Sequence, residues 1–213
     1  MASEESRLPL SFYESFDTCT LAQKLLGCEL VHDSPAGRTS GIIVETEAYL
    51  QDDPACHAYQ KRTARTEPMY AAAGTIYVYL IYGMYQCVNM VSNEAGCGEA
   101  VLIRSLQPVE GTELMQLRRQ SSRKIHNESL PKVISLKELC RGPGKLVQAM
   151  GIDRSLHNGQ SLATSSLYII PGSSDTFEVE ISKRIGITQG ADFLYRYAIK
   201  NNPYVSRSPA KTR

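Results

Sequence analysis

The chain has 213 residues, of which 42% are hydrophobic and 21% are charged, and its formal net charge is +1. These proportions are ordinary for a globular domain, and the length allows a sizeable hydrophobic core. Because the net charge is close to zero, the composition excludes a global attraction to a polyanion. A nucleic-acid site would need a local cluster of Lys and Arg.

The sequence favours a reducing intracellular setting. No stretch approaches the roughly 18 apolar residues of a membrane span. Residues 1–7 are polar and acidic, which argues against a secretory signal. The six cysteines are scattered without a Cys-x-x-Cys pair and indicate neither a zinc site nor a disulfide framework. Scattered cysteines of this kind are typical of a reducing compartment.

The first half of the chain is predicted to be rich in adjoining strands. Its predicted elements, in chain order, are a helix from Asp17 or Thr18 to Gly27, strands at 28–32 and about 38–49, a polar loop at 51–68, and a β-hairpin of residues 75–81 and 86–91. The tip of this hairpin falls at residues 82–85.

The second half mixes helices with further strands. Its predicted elements, in chain order, are a strand at 100–106, a helix from Pro108 into Arg118-Arg119, an exposed loop at 120–131, a helix from Gly142 to about Gly151, and strands at 167–170, 177–181 and 193–199. This order predicts an α+β fold, a single domain with a mainly antiparallel curved sheet, flanking helices and a protruding hairpin. The expected boundaries are a flexible segment at 1–7, the folded domain at 8–205 and a disordered basic tail at 206–213.

Carboxylates interrupt the strand that ends at Tyr49. A side-chain period of two places Glu45, Glu47 and Tyr49 on one face. One interpretation makes both glutamates solvent-facing residues of a sheet with one wet face. The other makes one of them a general base in a pocket walled by Tyr49, and the residues alone favour the two about equally.

Arg104 interrupts the apolar run 101–103 and shares a face with Leu102. A charged residue at such a position must be paired or must line a polar site. It is therefore either the partner of a catalytic carboxylate or a member of an ordinary salt bridge at the sheet edge.

Tyrosines line the predicted hairpin. Tyr77 and Tyr79 share a strand face, which more often means packing than a ligand site. Tyr82, flanked by Gly83 and Met84 at the tip, has little to pack on and is typical of a wedge for a partner or a membrane interface.

Two further motifs are ambiguous. Residues 142–145, Gly-Pro-Gly-Lys, suit a phosphate at a helix start, but the Ser or Thr of a full phosphate-binding loop is absent because Leu146 follows. His57 directly follows Cys56, which makes a poor nucleophile pair, so a structural histidine is the ordinary alternative.

Taken in order, these stretches resemble the alkyladenine (3-methyladenine) DNA glycosylase family. The matching stretches are Gly41-Ile-Ile-Val-Glu-Thr-Glu-Ala-Tyr-Leu50, residues 55–58 with 63–66 and 69, Gly74-Thr-Ile-Tyr-Val-Tyr-Leu-Ile-Tyr-Gly-Met-Tyr85 with 89, and residues 100–111, 142–146, 184–187 and 202–206. The likeness runs from about Leu8 to Arg207. Matches of this length in one order are far more specific than any single motif.

The resemblance implies a monofunctional glycosylase that flips a damaged purine from duplex DNA and hydrolyses its N-glycosidic bond. It implies that Glu47 activates water and that Arg104 helps to hold that water. The implied substrate-binding residues are Tyr49, Ala55, His57, Tyr79, Asn89 and Leu102, with Asn89 crowding the exocyclic amine of normal guanine. The implied DNA-binding residues are Thr63, Arg65, Met69, Tyr82, Met84, Tyr85 and Lys145, with Tyr82 filling the gap in the duplex.

The expected substrates are alkylated or deaminated purines, namely 3-methyladenine, 7-methylguanine, hypoxanthine and ethenoadenine. No metal or cofactor is expected, and the matched pocket has no lysine for strand cleavage. The expected partner is double-stranded DNA with damaged purines, with no membrane, and the protein is expected to be a monomer. One alternative is a non-catalytic nucleic-acid-binding module. The other is a small-molecule hydrolase, and an exposed Tyr82 argues against this second alternative.

Overall fold

The computed structural model describes residues 7–81, 83–125, 133–172 and 176–206. Its strands are β1 (Glu29–Ser34), β2 (Gly37–Tyr49), β3 (Ile76–Ile81), β4 (Tyr85–Val91), β5 (Ala100–Glu110), β6 (Leu167–Ile170), β7 (Val179–Ser182) and β8 (Arg196–Ile199). Its helices are α1 (Leu10–Glu14), α2 (Thr18–Lys24), α3 (Thr112–Ile125), α4 (Leu136–Leu139), α5 (Pro143–Met150) and α6 (Arg154–His157), with a 3₁₀ helix at Glu67–Tyr70.

All eight strands belong to one antiparallel sheet, which confirms the predicted α+β fold. The order is β3-β4-β5-β2-β1-β6, and β8 pairs with both β2 and β7. The strand β2 pairs with three other strands. One of its edges pairs with β5, and the other edge pairs first with β1 and then with β8. Glu45 and Glu47 of β2 therefore lie within the sheet, where β2 has β5 on one edge and β8 on the other.

Three register shifts disturb the pairing of β2 with β5, and two of them lie beside the glutamates of β2. Ile43 pairs with Leu106 and Glu45 with Ser105, so Val44 is an extra residue on β2. Thr46 then pairs with Ile103, so Arg104 is an extra residue on β5. Bulges of this kind re-aim side chains. This one directs Arg104 to the face that carries the β2 carboxylates.

The two faces of β2 lie against different cores. Toward α2, the Thr46 hydroxyl donates a hydrogen bond of 2.8 Å to the Ala22 carbonyl within the main hydrophobic core. A second, smaller core contains Met69 and Tyr77, with Tyr49 packed against it. Both glutamates are fully buried, so the interpretation of this segment as a wet sheet face is wrong.

The first predicted helix is confirmed, with Asp17 as its cap. The Asp17 carboxylate accepts a 2.9 Å hydrogen bond from the Thr20 amide. Gly27 follows the helix with a φ of 82°, a conformation that L side chains rarely adopt.

The predicted helix start at Pro108 is wrong. Pro108 lies within β5 and pairs with Gly41, beside a register shift. A missing amide is tolerated at such an irregularity, so the strand continues past the proline. The helix α3 begins at Thr112 and extends to Ile125, so residues 120–125 are helical and not part of a loop.

Several predictions fall on residues 1–6, 82, 126–132 or 207–213, which lie outside the described residues. They concern the flexible amino terminus, the Tyr82 wedge, the rest of the basic loop and the tail. These remain predictions. Within the described ranges, no helix combines the length and the apolar character needed to cross a membrane.

Candidate active site

A cavity of about 340 Å³ opens where the β3–β4 hairpin, the ends of β2 and β5, and two loop segments meet. Its lining is Tyr49, Ala55, His57, Met69, Tyr77, Tyr79, Ile81, Cys87, Asn89, Ala100, Leu102, Arg104, Pro143, Ile185, Gly186 and Ile187. The volume lies within the roughly 300–1,000 Å³ of small-molecule sites. The lining is mostly apolar and aromatic, with few polar groups.

Three rings form one aromatic wall. Tyr77 and Tyr79 are stacked with centroids 5.6 Å apart, and the His57 ring meets Tyr79 edge-on at 4.4 Å. The Nδ1 atom of His57 lies 3.1 Å from the Tyr77 hydroxyl. Burial and the charge of Arg65 lower the pKa of His57 to about 4, so this ring is neutral near neutral pH. A neutral, apolar wall of this kind suits a flat ring.

Glu47 lies immediately behind the cavity surface with both carboxylate oxygens engaged. Its Oε2 accepts hydrogen bonds from the Tyr49 hydroxyl at 2.9 Å and from Nη1 of Arg104 at 3.2 Å. Its Oε1 accepts one from the Ile185 amide at 2.8 Å. All three donors belong to residues that line the cavity. Together they fix the orientation of the carboxylate.

Arg104 joins this carboxylate to a second one. Its Nε donates to Oε1 of Glu45 at 3.1 Å, while Nη1 reaches Glu47. Burial disfavours the guanidinium charge, but the two carboxylates outweigh it and raise the pKa of Arg104. Arg104 is therefore a permanent cation at the cavity surface.

Glu45 joins the cluster to other parts of the chain and is called its anchor carboxylate below. Its Oε1 also accepts from Nε of Arg196 at 2.7 Å, and its Oε2 accepts from the Ser206 amide at 2.7 Å. Burial favours the neutral acid, but Arg104, Arg196 and Ser206 together lower the pKa of Glu45. This arrangement ties β5, β8 and the end of the described chain to one carboxylate.

A separate buried ion pair supports the far side of Tyr49. Nη2 of Arg184 donates to Oδ1 of Asp53 at 2.9 Å, and Nη1 makes a second contact with Asp53 and a 3.0 Å bond to the Ala48 carbonyl. The guanidinium carbon lies 4.6 Å from the centroid of the Tyr49 ring. Arg184 thus connects the loop that carries His57 to the segment that begins with Ile185.

Most of the residues predicted for the pocket meet in this cavity. Its lining includes the predicted residues Tyr49, Ala55, His57, Tyr79, Asn89, Leu102 and Arg104. The Asn89 amide donates a 3.1 Å bond to the Tyr77 carbonyl, which fixes its orientation. Met69, predicted to contact DNA, is buried in the lining, and Glu47 is set just behind it.

Sequence reasoning missed part of the site. It attributed Tyr77 to sheet packing, and it gave no role to Ile185, Gly186 and Ile187, although they lie in a stretch that carries the family resemblance. The family-like stretch at residues 184–187 is the one feature of the sequence that could have indicated the cavity contacts of Ile185, Gly186 and Ile187. No comparable motif marked Asp53 or Arg196.

Apart from Met69, the described residues that were predicted to contact DNA are not part of the cavity lining. Met84 is exposed beyond β3, Tyr85 lies beside Gly144, and Tyr82 is not among the described residues. Thr63 and Arg65 are exposed in the loop before the 3₁₀ helix. The guanidinium carbon of Arg65 lies 5.6 Å from the Tyr79 ring centroid.

Lys145 is already engaged in an ion pair. Its Nζ lies 2.7 Å from Oε2 of Glu138 on α4. A contact with a phosphate would therefore have to replace or share this pair. In the described part of the chain, no group of three or more His, Cys, Asp or Glu residues is arranged to hold a metal ion.

Comparison with known proteins shows the family of this chain. Residues 11–203 match the family model described as methylpurine-DNA glycosylase. A protein of Methanoculleus marisnigri is 45% identical over 204 residues, which cover 94% of this chain and 98% of that protein. A Carboxydothermus hydrogenoformans protein is 41% identical over 201 residues, with the same two coverages of 94% and 98%.

A Francisella tularensis protein is 43% identical over 193 residues, which cover 89% of this chain and 94% of that protein. All three relatives carry the name "Putative 3-methyladenine DNA glycosylase". Both the family match and these relatives span nearly the whole folded chain. The chain therefore belongs to the methylpurine-DNA glycosylase family, and its general role is that of a DNA glycosylase.

Proposed function

We propose that this protein is a monofunctional glycosylase that excises alkylated or deaminated purines, using a water molecule activated by Glu47. The observation that carries the proposal is the Glu47–Arg104 pair set against an aromatic cavity. The substrates are 3-methyladenine, 7-methylguanine, hypoxanthine and ethenoadenine in duplex DNA. The names of the relatives support the first of these directly.

The cavity can hold a base only after that base leaves the double helix. Flipping costs a few kcal/mol, and less for a damaged or mispaired base. Stacking on aromatic side chains returns about 1–3 kcal/mol per base. The rings of Tyr49, His57 and Tyr79 supply this stacking surface. An alkylated purine is also a cation, which the faces of tyrosine rings attract.

The chemistry follows from the lone pairs of Glu47. A carboxylate has about four acceptor positions, and the donors described above use two on Oε2 and one on Oε1. The remaining position on Oε1 is the place for a water. Hydrogen bonds of this kind in a free enzyme tighten when the substrate binds.

The reaction balances with these groups alone. The bond between C1′ and the base nitrogen breaks, and its electron pair leaves with the base as positive charge develops on the sugar. The water oxygen bonds to C1′, and Glu47 accepts the proton that the water releases. Arg104 keeps Glu47 oriented, and the Tyr49 hydroxyl holds Oε2. A cationic base leaves as a neutral molecule, and Glu47 then gives its proton to solvent. A neutral base such as hypoxanthine leaves as an anion and takes up one proton, for which the proton held by Glu47 is a source. The products are the free base and an abasic site.

The same cavity argues against strand cleavage. Cleavage of the backbone by a glycosylase requires an amine that forms a Schiff base with the sugar. Among the described residues that line the cavity, none is a lysine. We therefore infer that the reaction stops at the abasic site.

A panel of duplexes tests the proposed function. Each duplex carries one of the four lesions or an undamaged purine, and released base and strand scission are measured separately. We expect base release from lesion duplexes, slow release from undamaged DNA and no scission until alkali is added. Binding of lesion DNA without base release would instead indicate a non-catalytic nucleic-acid-binding module.

A further inference from the structure

The buried Asp53–Arg184 pair lies directly behind one wall of the cavity. Both side chains are almost completely inaccessible, at 1% and 0% exposure. Tyr49 lines the cavity and Arg184 does not, so the guanidinium covers a part of the ring that faces away from the cavity. A base stacked on Tyr49 would therefore feel the charge of Arg184 through the ring, with no water between them.

The charges around Tyr49 are balanced. Three guanidinium groups and three carboxylates are joined by buried ion pairs, and these residues are Glu45, Glu47, Asp53, Arg104, Arg184 and Arg196. Within this group, Asp53 is the carboxylate that pairs with Arg184. Loss of the Asp53 charge would leave one net positive charge behind the Tyr49 ring.

We propose that Asp53 is a specificity-determining residue that acts through Arg184, because its carboxylate cancels the positive charge behind Tyr49 and allows the cavity to accept a cationic purine. This inference rests on the proposed base-excision function. In DNA, 7-methylguanine carries a positive charge, whereas hypoxanthine is neutral. The ion pair therefore bears on the choice between two classes of lesion and not only on the rate.

The same pair also has a positioning role that affects every lesion. The Ala55 amide donates a 3.0 Å bond to Oδ1 of Asp53, so the carboxylate shapes the loop that carries Ala55 and His57. Arg184 directly precedes Ile185, whose amide holds Glu47. A change in this geometry would slow release of cationic and neutral bases alike. Only the charge effect would change the ratio of the two.

The distance sets the expected size of the charge effect. The guanidinium carbon is 4.6 Å from the Tyr49 centroid, and a stacked base adds about 3.5 Å of van der Waals separation. Two unit charges about 8 Å apart at an effective dielectric constant of about 20 repel enough to change binding roughly thirtyfold. Since neighbouring charges screen part of this repulsion, we expect a change of at least about tenfold in selectivity.

The experiment uses the full chain and two otherwise identical duplexes, one with 7-methylguanine and one with hypoxanthine. The quantity measured is the ratio of their kcat/KM values. Asp53→Asn should lower this ratio at least about tenfold. The matched control is Asp52→Asn, which removes the same charge from the exposed neighbouring position and should leave the ratio unchanged.

Two further variants separate charge from geometry. Arg184→Gln leaves an excess negative charge and should raise the ratio, while the double variant Asp53→Asn/Arg184→Gln should restore it to the wild-type value at a lower rate. If Asp53→Asn folds, a ratio of kcat/KM values equal to that of the wild type overturns the inference. If Asp53→Asn does not fold, the test is Arg184→Gln, and a ratio for this variant at or below the wild-type value overturns the inference. Absence of release by the wild-type protein would instead refute the proposed function and the inference together.

Discussion

Two buried polar clusters lie at opposite ends of β2, and they differ in charge. The acidic end holds Glu45 and Glu47 against Arg104 beside the cavity. Near the other end, His32 and His157 form a pair with their Nε2 atoms 3.2 Å apart. One cluster is ionic and adjoins an open cavity. The other is buried among α5, α6 and β1.

The histidine pair is satisfied as a neutral unit. Nδ1 of His32 lies 2.7 Å from the Met150 carbonyl, so it must carry a proton and leave Nε2 as an acceptor. His157 then donates through its Nε2, and its Nδ1 lies 3.0 Å from the Asp153 amide and 2.9 Å from the Asp153 carbonyl. Burial of polar groups therefore does not by itself mark a candidate site, whereas ionic groups beside a cavity do.

Removal of the central cation should have the largest effect on stability. Arg104→Met leaves two buried carboxylates without their shared partner, and breaking such a pair costs about 3–5 kcal/mol. Denaturant unfolding measures this loss. The exposed Arg62, which pairs with Glu67, provides the control variant Arg62→Met, for which we expect little change. Wild-type stability in Arg104→Met would show that the cluster is not held by charge.

Loss of the anchor carboxylate should have a smaller effect, and one that depends on pH. Glu45→Gln keeps the shape but weakens charged hydrogen bonds worth about 1.5–3 kcal/mol each. Because the folded pKa of Glu45 is lowered, its contribution is present above the unfolded pKa of about 4.3 and is lost as the pH falls through the folded pKa. On acidification, wild type should therefore lose more stability than Glu45→Gln. Parallel curves for the two proteins would contradict this.

The histidine pair should affect stability over a different pH range from that of Glu45. Burial is the main cause that lowers the pKa of His32, and the charge of Arg118 and the neighbouring His157 add to it. The neutral folded form is therefore favoured above the unfolded pKa of about 6.5, and stability falls below that pH by at most about 1.4 kcal/mol per unit. His32→Gln should reduce this slope and leave the part that His57 contributes, since the pKa of His57 is also lowered. An unchanged slope in His32→Gln would refute the neutral-pair account.

The smallest effect should come from an exposed pair that belongs to neither cluster. Lys145 lies at the start of α5 and is paired with Glu138. If it contacts a phosphate, Lys145→Ala should weaken binding to any duplex and lower the salt slope by roughly one unit. Lys137→Ala, at an exposed position on α4, is the control. Equal slopes for Lys145→Ala and wild type would remove Lys145 from the DNA-contacting set.

The sequence predicted the side chains that meet at the cavity better than the side chains that support them. Alternation marked Glu45, Glu47 and Arg104 as candidates, because a charge within an apolar strand needs a partner, and the family resemblance singled out Glu47. Arg196 and Arg184 could not be found in this way. They reach Glu45 and Asp53 across more than 130 positions of chain, and only the register of β8 and the path of residues 183–190 bring them there. Long-range ion pairs leave no periodic trace in a sequence.

The errors in the fold prediction have local causes. Pro108 is usual at a helix start, but the pairing of β5 with β2 continues through it at an irregular position. The residues after Arg119 are polar, which suggested a loop. The outward face of a surface helix is polar as well, and α3 continues to Ile125. The hairpin and the capped helix were predicted well because turn and cap residues act within a few positions.

The most direct test of the central claim is single-turnover base release by Glu47→Gln. The glutamine keeps the shape of the side chain but cannot accept a proton from water. Thermal unfolding and lesion-DNA binding are measured on the same preparation, with the exposed Glu94→Gln as the control. The account predicts retained folding and binding with release slowed roughly 10²–10⁴-fold. Release within about tenfold of wild type would show that Glu47 is not the base.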